Sequence, residues 1–354
     1  METESKGVSE ETGLSRGAHG VRSSRIVLIC SIMALAAVAG FSLFIGNFNL
    51  SVQDVVQILG SAIFDPGGQK GVESTVILTV RIPRILAAIL VGAALSLSGA
   101  TYQNVFKNPL VSPDLLGVSA GACVGAACAI LAHISNLAVG VAALVGGLVA
   151  VGCTVGLAKL FRNGSSLVLV LSGVIVSGFM SSVLGLVKYL ADPETELAAI
   201  TYWQLGSIAD TRPSEIAYVF IPIVVCLVVL VLLRWRIGML SLGESEAALL
   251  GLNVKRLRMV SILCSTTLTA CAVCISGTIG WIGLVIPHLC RFMVGPDASR
   301  NMPLTITVGA LFLLVVDTVC RTVTTVDLPL SIIIGFIGTP LFVWLILRQR
   351  TVIQ

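Results

Sequence analysis

The sequence predicts an all-α integral membrane protein with about ten transmembrane helices and both termini in the cytoplasm. Three observations carry that prediction. Of the 354 residues, 56% are hydrophobic and 11% are charged, whereas a soluble domain carries about 25% charged residues. There is too little polar surface here to clothe a globule in water. Apolar runs, most of them near the roughly 20 residues a helix needs to cross a bilayer, divide the chain. The basic residues between them alternate. Sixteen of the 22 Lys and Arg fall on one set of connections, and six (Lys70, Arg81, Arg84, Lys188, Arg212 and Arg321) fall on the other. Basic residues resist translocation, so the richer side is cytoplasmic. The net charge of +4 follows from this asymmetry and gives no reason to invoke nucleic acid.

Residues 1–25 are polar and mixed in charge, and are expected to form a disordered cytoplasmic tail. Residues 26–348 read as a single transmembrane domain, and 349–354 as a second cytoplasmic tail. The first run, Ile26–Ile45, is span-length rather than the shorter core of a cleaved signal, so it reads as a retained helix. Ser51 is a candidate N-cap for an amphipathic helix over Ser51–Phe64, with Val52, Val55, Val56, Leu59 and Ile63 at helical spacing. That helix would lie on the outer surface. The further spans are expected near Pro83–Val105, Leu115–Ile134, Leu137–Leu160, Leu167–Leu190, Ile216–Leu233, Met259–Ser276, Ile279–Met293, Pro303–Val319 and Leu330–Leu347. Pro83 suits a helix start, where its missing N–H costs little. Residues 192–215 form a long outer loop with five acids: Asp192, Glu194, Glu196, Asp210 and Glu215. The short turn Gly277–Thr278 closes a tight hairpin.

All ten cysteines lie within or at the ends of apolar runs and read as packing residues. Cys271-x-x-Cys274 has no second pair and no nearby histidine, so it does not read as a metal site. Small residues recur every four positions in two helices. Gly117, Gly121 and Gly125 form one row, which reads as close helix packing. Gly173, Ser177, Ser181 and Gly185 form another, which either packs or lines a wet path. Asp317 lies deep in the ninth run with Arg321 four residues on, a spacing that suits an ion pair. His288 reads as a hydrogen-bonded structural residue rather than a ligand.

A phosphate loop, an HExxH pair and a spaced acid pair within a span are all missing from the sequence. If ATP is used, another chain hydrolyses it. The connection Ser241–Arg258 is where such a chain could act. Ser241 and Glu244 have capping-box spacing, Glu244–Leu250 favours helix, and Gly251 suits a helix C-terminus. Within it, the cluster Ala247-Ala248-Leu249-Leu250, next to Glu246, offers apolar surface to a soluble partner.

Asn108-Pro109-Leu110-Val111-Ser112-Pro113-Asp114-Leu115-Leu116-Gly117-Val118-Ser119-Ala120-Gly121-Ala122 resembles a signature of the FecCD-type permeases, the membrane subunits of ABC importers for ferric siderophores, haem and vitamin B12. Gly283-Leu284-Val285-Ile286-Pro287-His288 with Arg291 looks like the second signature, and Gly335-x-x-Gly338-x-Pro340 is similar to the third. Arg81-x-Pro83-Arg84 fits as well. The match covers essentially residues 45–348. The resemblance implies a ten-helix subunit in the cytoplasmic (inner) membrane, surrounded by lipid and dimerised with an identical or paralogous permease around a central path. It implies two cytoplasmic ATPases that hold ATP and Mg and contact Glu244–Gly251, with no cofactor on this chain and no catalysis by it. It also implies an extracytoplasmic solute-binding protein. Arg81, Arg84 and Arg321 occupy positions matching the family's outer arginines, which pair with acids on that protein. The family's fifth span lines the path, which moves the Gly173/Ser177/Ser181/Gly185 row towards function. The solute implied is an iron chelate, with cobalamin as the alternative. An ion-coupled secondary carrier is the rival, and it would transport without any ATPase. Peptide mapping after labelling with a membrane-impermeant amine reagent should leave Lys159 unmodified in intact cells; modification there would overturn the topology.

Overall fold

The computed structural model describes residues 24–46, 48, 51–64, 71–161, 166–323 and 327–353, and the expected N-terminal tail lies almost wholly outside them. Among the described residues every regular element is helical. The first span is α1, Ser24–Phe44. Then come α2 (Val52–Phe64) and α3 (Val72–Thr75), which runs through a π-helical turn, Val76–Arg81, into α4 (Ile82–Val105). A 3₁₀ turn, Pro113–Leu116, precedes α5 (Val118–Leu131), α6 (Asn136–Leu160), α7 (Ser166–Leu190) and α8 (Glu196–Leu205). The chain continues as α9 (Pro213–Leu240), α10 (Glu244–Leu249), α11 (Val254–Ser276), α12 (Ile282–Val294), α13 (Ala298–Val323) and α14 (Leu330–Ile353).

Eight of these helices are long and apolar enough to cross a membrane. The other two expected runs appear as α5 and α12, with 14 and 13 residues. At 1.5 Å per residue each covers only about 20 Å of the roughly 30 Å hydrocarbon core. Non-helical backbone fills the remaining depth, and lipid cannot satisfy it. Protein groups do so instead. Thr154 donates to the Leu116 carbonyl at 3.0 Å, and Gln103 Nε2 donates to the Val111 and Gly283 carbonyls at 3.2 and 3.3 Å. The Gly283 carbonyl is the one that Pro287, four residues on and without an N–H, leaves free inside α12.

Several expectations shift. Helix α8 occupies the middle of the segment expected to be a loop over 192–215, and α9, α11 and α13 extend beyond their apolar runs. Ser51 does cap α2: its hydroxyl accepts from the Asp54 N–H at 3.2 Å, while the Asp54 carboxylate accepts from the Ser51 N–H at 3.1 Å. On that helix Val55 is buried, whereas Val52 and Val56 face outward.

Helix α4 is the centre of the bundle, buried along most of its length. Glycine lets its neighbours reach it. A Cβ at Gly92 would overlap the Gly309 carbonyl of α13, and one at Gly99 would overlap the Gly283 carbonyl of α12. Against α11 the contact is polar: Ser98 and Thr269 hydroxyls lie 2.8 Å apart, and Tyr102 and Thr266 hydroxyls 2.7 Å apart. The Gly121/Gly125 row packs on Gly146 and Ala142 of α6 with the same backbone closeness.

These pairings stack antiparallel helices and separate two ends. One gathers the end of α1, the starts of α4 and α9, the end of α11, α8 and the α13–α14 connection. The Leu330 N–H there donates to Gly206 O, and Ser207 N–H to Ser276 O, both at 2.9 Å. The opposite end carries α10, Lys159, Arg234, Arg236, Lys255, Arg256 and Arg258, and is the one the charge distribution assigns to the cytoplasm. Gly99→Ala should lower stability by about 1–3 kcal/mol through overpacking. Gly152→Ala, with nothing within 4 Å of a new Cβ, should be neutral in the same thermal-unfolding assay in detergent.

Candidate functional site

At the cytoplasmic end, α10 forms a single exposed knob between two long helices. Its N-terminal flank is Gly243, so Ser241 is not the cap that its spacing predicted. Ser241 instead turns back and donates to the Gly238 carbonyl of α9 at 2.6 Å. The far end is closed as expected. Gly251 adopts φ 80°, its N–H donates to Ala248 O, and the Leu252 N–H reaches Ala247 O. This paired closure requires a left-handed residue that glycine supplies without strain. Ala247 is fully buried against the bundle, while Leu249 is 88% and Leu250 58% exposed. Glu246 is exposed, and the side chain of Glu244 lies outside the described residues. The knob therefore has a fixed root and an apolar tip.

At the outer end, Arg81, Arg84 and Arg321 converge, but inward. They are 4, 7 and 6% exposed. Arg81 donates to the Leu43 and Phe48 carbonyls, both at 2.5 Å. Arg321 donates to the carbonyl and hydroxyl of Ser42. Arg84 bridges two acids: Nε lies 2.9 Å from Asp317 Oδ1, and Nη2 lies 2.9 Å from Asp327 Oδ1. This corrects the predicted Asp317–Arg321 pair. The two residues share a face, yet Arg321 is drawn across to α1, whose terminal carbonyls need donors, and Asp317 takes the arginine of α4. The guanidinium groups of all three are held within the fold.

The signature residues are mostly architectural. The Asn108 side chain accepts from the Leu110 N–H at 2.9 Å, turning the chain at exposed Pro109. Gly117, at φ 83°, joins the 3₁₀ turn to α5. Pro113 wedges against Gly283, where any Cβ would overlap its ring. His288 is 3% exposed, with Nδ1 3.1 Å from Arg291 and its ring edge-on to Phe342, which is the structural role expected of it. Gly338 lies against Trp281, Gly335 has open space, and Pro340 sits inside α14.

Signature turns at these depths, a short helix exposed at the cytoplasmic end and eight long apolar helices define a type that comparison then places. The model of the FecCD transport family matches residues 27–348. This chain belongs to that family. The molybdate import system permease protein of Haemophilus influenzae is 38% identical over 328 residues, covering 92% of this chain and 96% of its own. A probable iron chelatin transport system permease protein of Helicobacter pylori is 38% identical over 334 residues, covering 94% and 100%. A solved structure of a metal-chelate type ABC transporter in an inward-facing conformation has 37% identity and a TM-score of 0.82, covering 92% of this chain and 99% of that one. The protein is thus a multi-pass membrane permease of an ABC importer and not an enzyme. The family implies ATPase and binding-protein partners and a second permease.

In this FecCD permease the row along α7 divides. Gly173 packs so closely on Leu115 that a Cβ would overlap its carbonyl, and Ser177 touches Gly117. Both are packing positions. Ser181 and Gly185 face away from the bundle, with open space beside Gly185. Sequence reading missed His133, whose Nε2 lies 3.0 Å from Glu196 Oε1. They stand 63 positions apart in the chain, so no local signal links them.

Arg84→Met should strand the buried Asp317 carboxylate and cost about 3–5 kcal/mol. Pairing it with Asp317→Leu should recover much of that loss, read as the unfolding midpoint of the purified permease. Equal midpoints for the two variants would refute the pairing.

Proposed function

We propose that this permease imports an iron chelate, a ferric siderophore or haem, received from a solute-binding protein. Two cytoplasmic ATPase subunits supply the work by hydrolysing ATP with magnesium. The observation that carries the coupling is α10: a helix rooted by buried Ala247, closed by Gly251 and tipped by exposed Leu249 and Leu250. Such apolar surface at a cytoplasmic end calls for a cover, and closure of an ATPase pair beneath it would push α9 and α11 together. A second permease would cover the outward faces of α7 and α14, whose most apolar stretches are only 17% and 22% buried. The path would then run between the two copies, with Ser181 and Gly185 on its wall.

The iron-chelate reading draws on the iron chelatin relative, which aligns over 94% of this chain, and on the small residues of that wall, which leave width for a bulky solute. A small oxyanion is the second reading. The molybdate relative favours it at the same 38% identity. The three buried arginines act as staples of the outer end in either case.

The deciding experiment is uptake into proteoliposomes holding the permease, its ATPase and a binding protein. Labelled ferric siderophore or haem should accumulate only with internal ATP. Leu250→Asp should keep ATP hydrolysis while cutting uptake about tenfold or more, because a charge cannot sit in an apolar contact without cost. Uptake without an ATPase would sink the importer mechanism. Molybdate uptake with no chelate uptake would select the second reading.

A further inference from the structure

We infer that a pocket at the outer end, between α8, the start of α9 and the end of α11, receives a basic side chain of the docked solute-binding protein. The inference rests on the importer reading above and adds a contact of opposite polarity to the one the outer arginines suggested. With Arg81, Arg84 and Arg321 all buried and engaged, the exposed charge in the 192–215 segment is chiefly acidic: Asp192, Glu194 and Asp210, against Arg212.

The pocket has a volume of about 290 Å³. Asp210, Thr211, Glu215, Tyr202, Trp203 and Tyr218 line it. Asp317, Asp327, Glu196 and Asp297 each have a cationic or histidine partner. Among the described residues Asp210 and Glu215 have none. One Glu215 oxygen accepts from the Arg212 N–H at the head of α9, 3.2 Å away, which fixes the carboxylate in place.

Thr211 supplies an independent sign of a missing occupant. It is 5% exposed, and its hydroxyl oxygen has no hydrogen-bond partner among the described residues. An unpaired hydroxyl at that depth carries a desolvation cost that a bound donor would relieve.

The chemistry selects the occupant. Two carboxylates and several hydroxyls offer acceptors, and Tyr202 and Trp203 offer ring faces. Acceptors beside aromatic faces suit a guanidinium or ammonium group, which can donate several hydrogen bonds and lie over a ring. Among the described residues no group of three His, Cys, Asp or Glu could hold a metal ion. The charge is complementary to a basic side chain on a protein arriving from outside, and a volume of about 290 Å³ has room for one arginine side chain. Glu196, which bonds His133 and the Asp192 N–H, holds the start of α8 and with it the pocket wall.

The test uses the permease–ATPase complex in nanodiscs, titrated with the solute-binding protein that stimulates its ATP hydrolysis. Asp210 is exposed, so Asp210→Lys should leave folding unchanged. It should weaken binding-protein affinity at least about tenfold at low salt, as expected for reversing a close charge pair. Glu194→Lys, an acid of the same segment outside the pocket, should change it less than about twofold. Reversing one lysine or arginine of the binding protein to Glu should restore affinity for Asp210→Lys while weakening wild type. Equal losses for the two permease variants, no loss for Asp210→Lys, or a loss that no reversed position restores would each overturn the pocket. Failure of any solute-binding protein to stimulate the wild-type complex would overturn the importer reading itself, and this inference with it.

Discussion

Backbone contact along α4 is the constraint on which the rest of the bundle depends. Lipid gives apolar helices no reason to leave it, so helices associate through close packing and hydrogen bonds. Gly92, Gly99, Gly283 and Gly309 remove the side chains that would hold α12 and α13 away from α4. Once those backbones touch, Gln103 can reach the carbonyl that Pro287 frees, and Arg84 can reach Asp317. The polar contacts that give the outer end and the short helices their shapes therefore rest on glycine crossings farther down the same helix.

Arginine at the outer end solves a problem of helix termini. Helix α1 is mostly exposed within the subunit, with 11% of its apolar window buried. Hydroxyl pairs at Ser31–Thr307 and Ser42–Thr318 tie it to α13. Its last carbonyls lack helical donors, and Arg81 and Arg321 supply them. Arg84 neutralises the acid that the same interface buries. The three cations are thus held within the fold, while the exposed acids Asp192, Glu194 and Asp210 lie around α8.

The span pattern was legible in sequence because lipid imposes a length on every apolar run, and because basic residues label one side. The short helix α10 was legible because capping glycine and an apolar cluster between polar flanks are local signals. Gly251 is in place, while Ser241, with the right spacing, found a nearer acceptor at Gly238. What sequence could not place was long-range. The Asp317 partner sits 233 residues away at Arg84, and helical spacing offered Arg321 as the nearer choice. The α7 row looked uniform as a string of small residues. Its division into packed Gly173 and open Gly185 depends on where the 3₁₀ turn at Pro113–Leu116 lands, and that turn is set by Pro113 meeting Gly283. Thr211 carried no sequence signal because a hydroxyl shows its lack of a partner only once its surroundings are folded.

Helices α9 and α11 join the two ends that matter. They flank α10 at the cytoplasmic end, where Ala247 is locked between them. At the outer end the same helices contribute Glu215, Tyr218, Cys274 and Ile275 to the acidic pocket. The Tyr218 hydroxyl meets Cys274 Sγ there at 3.6 Å. Helix α11 is also the most buried of the long apolar helices, and close-packed interiors transmit displacement rather than absorb it. A push on α10 that changed how α9 lies against α11 would therefore reshape the pocket. By the same contacts, a basic side chain seated in the pocket would bias the position of α10. Docking outside and nucleotide closure inside would then read the same pair of helices from opposite ends.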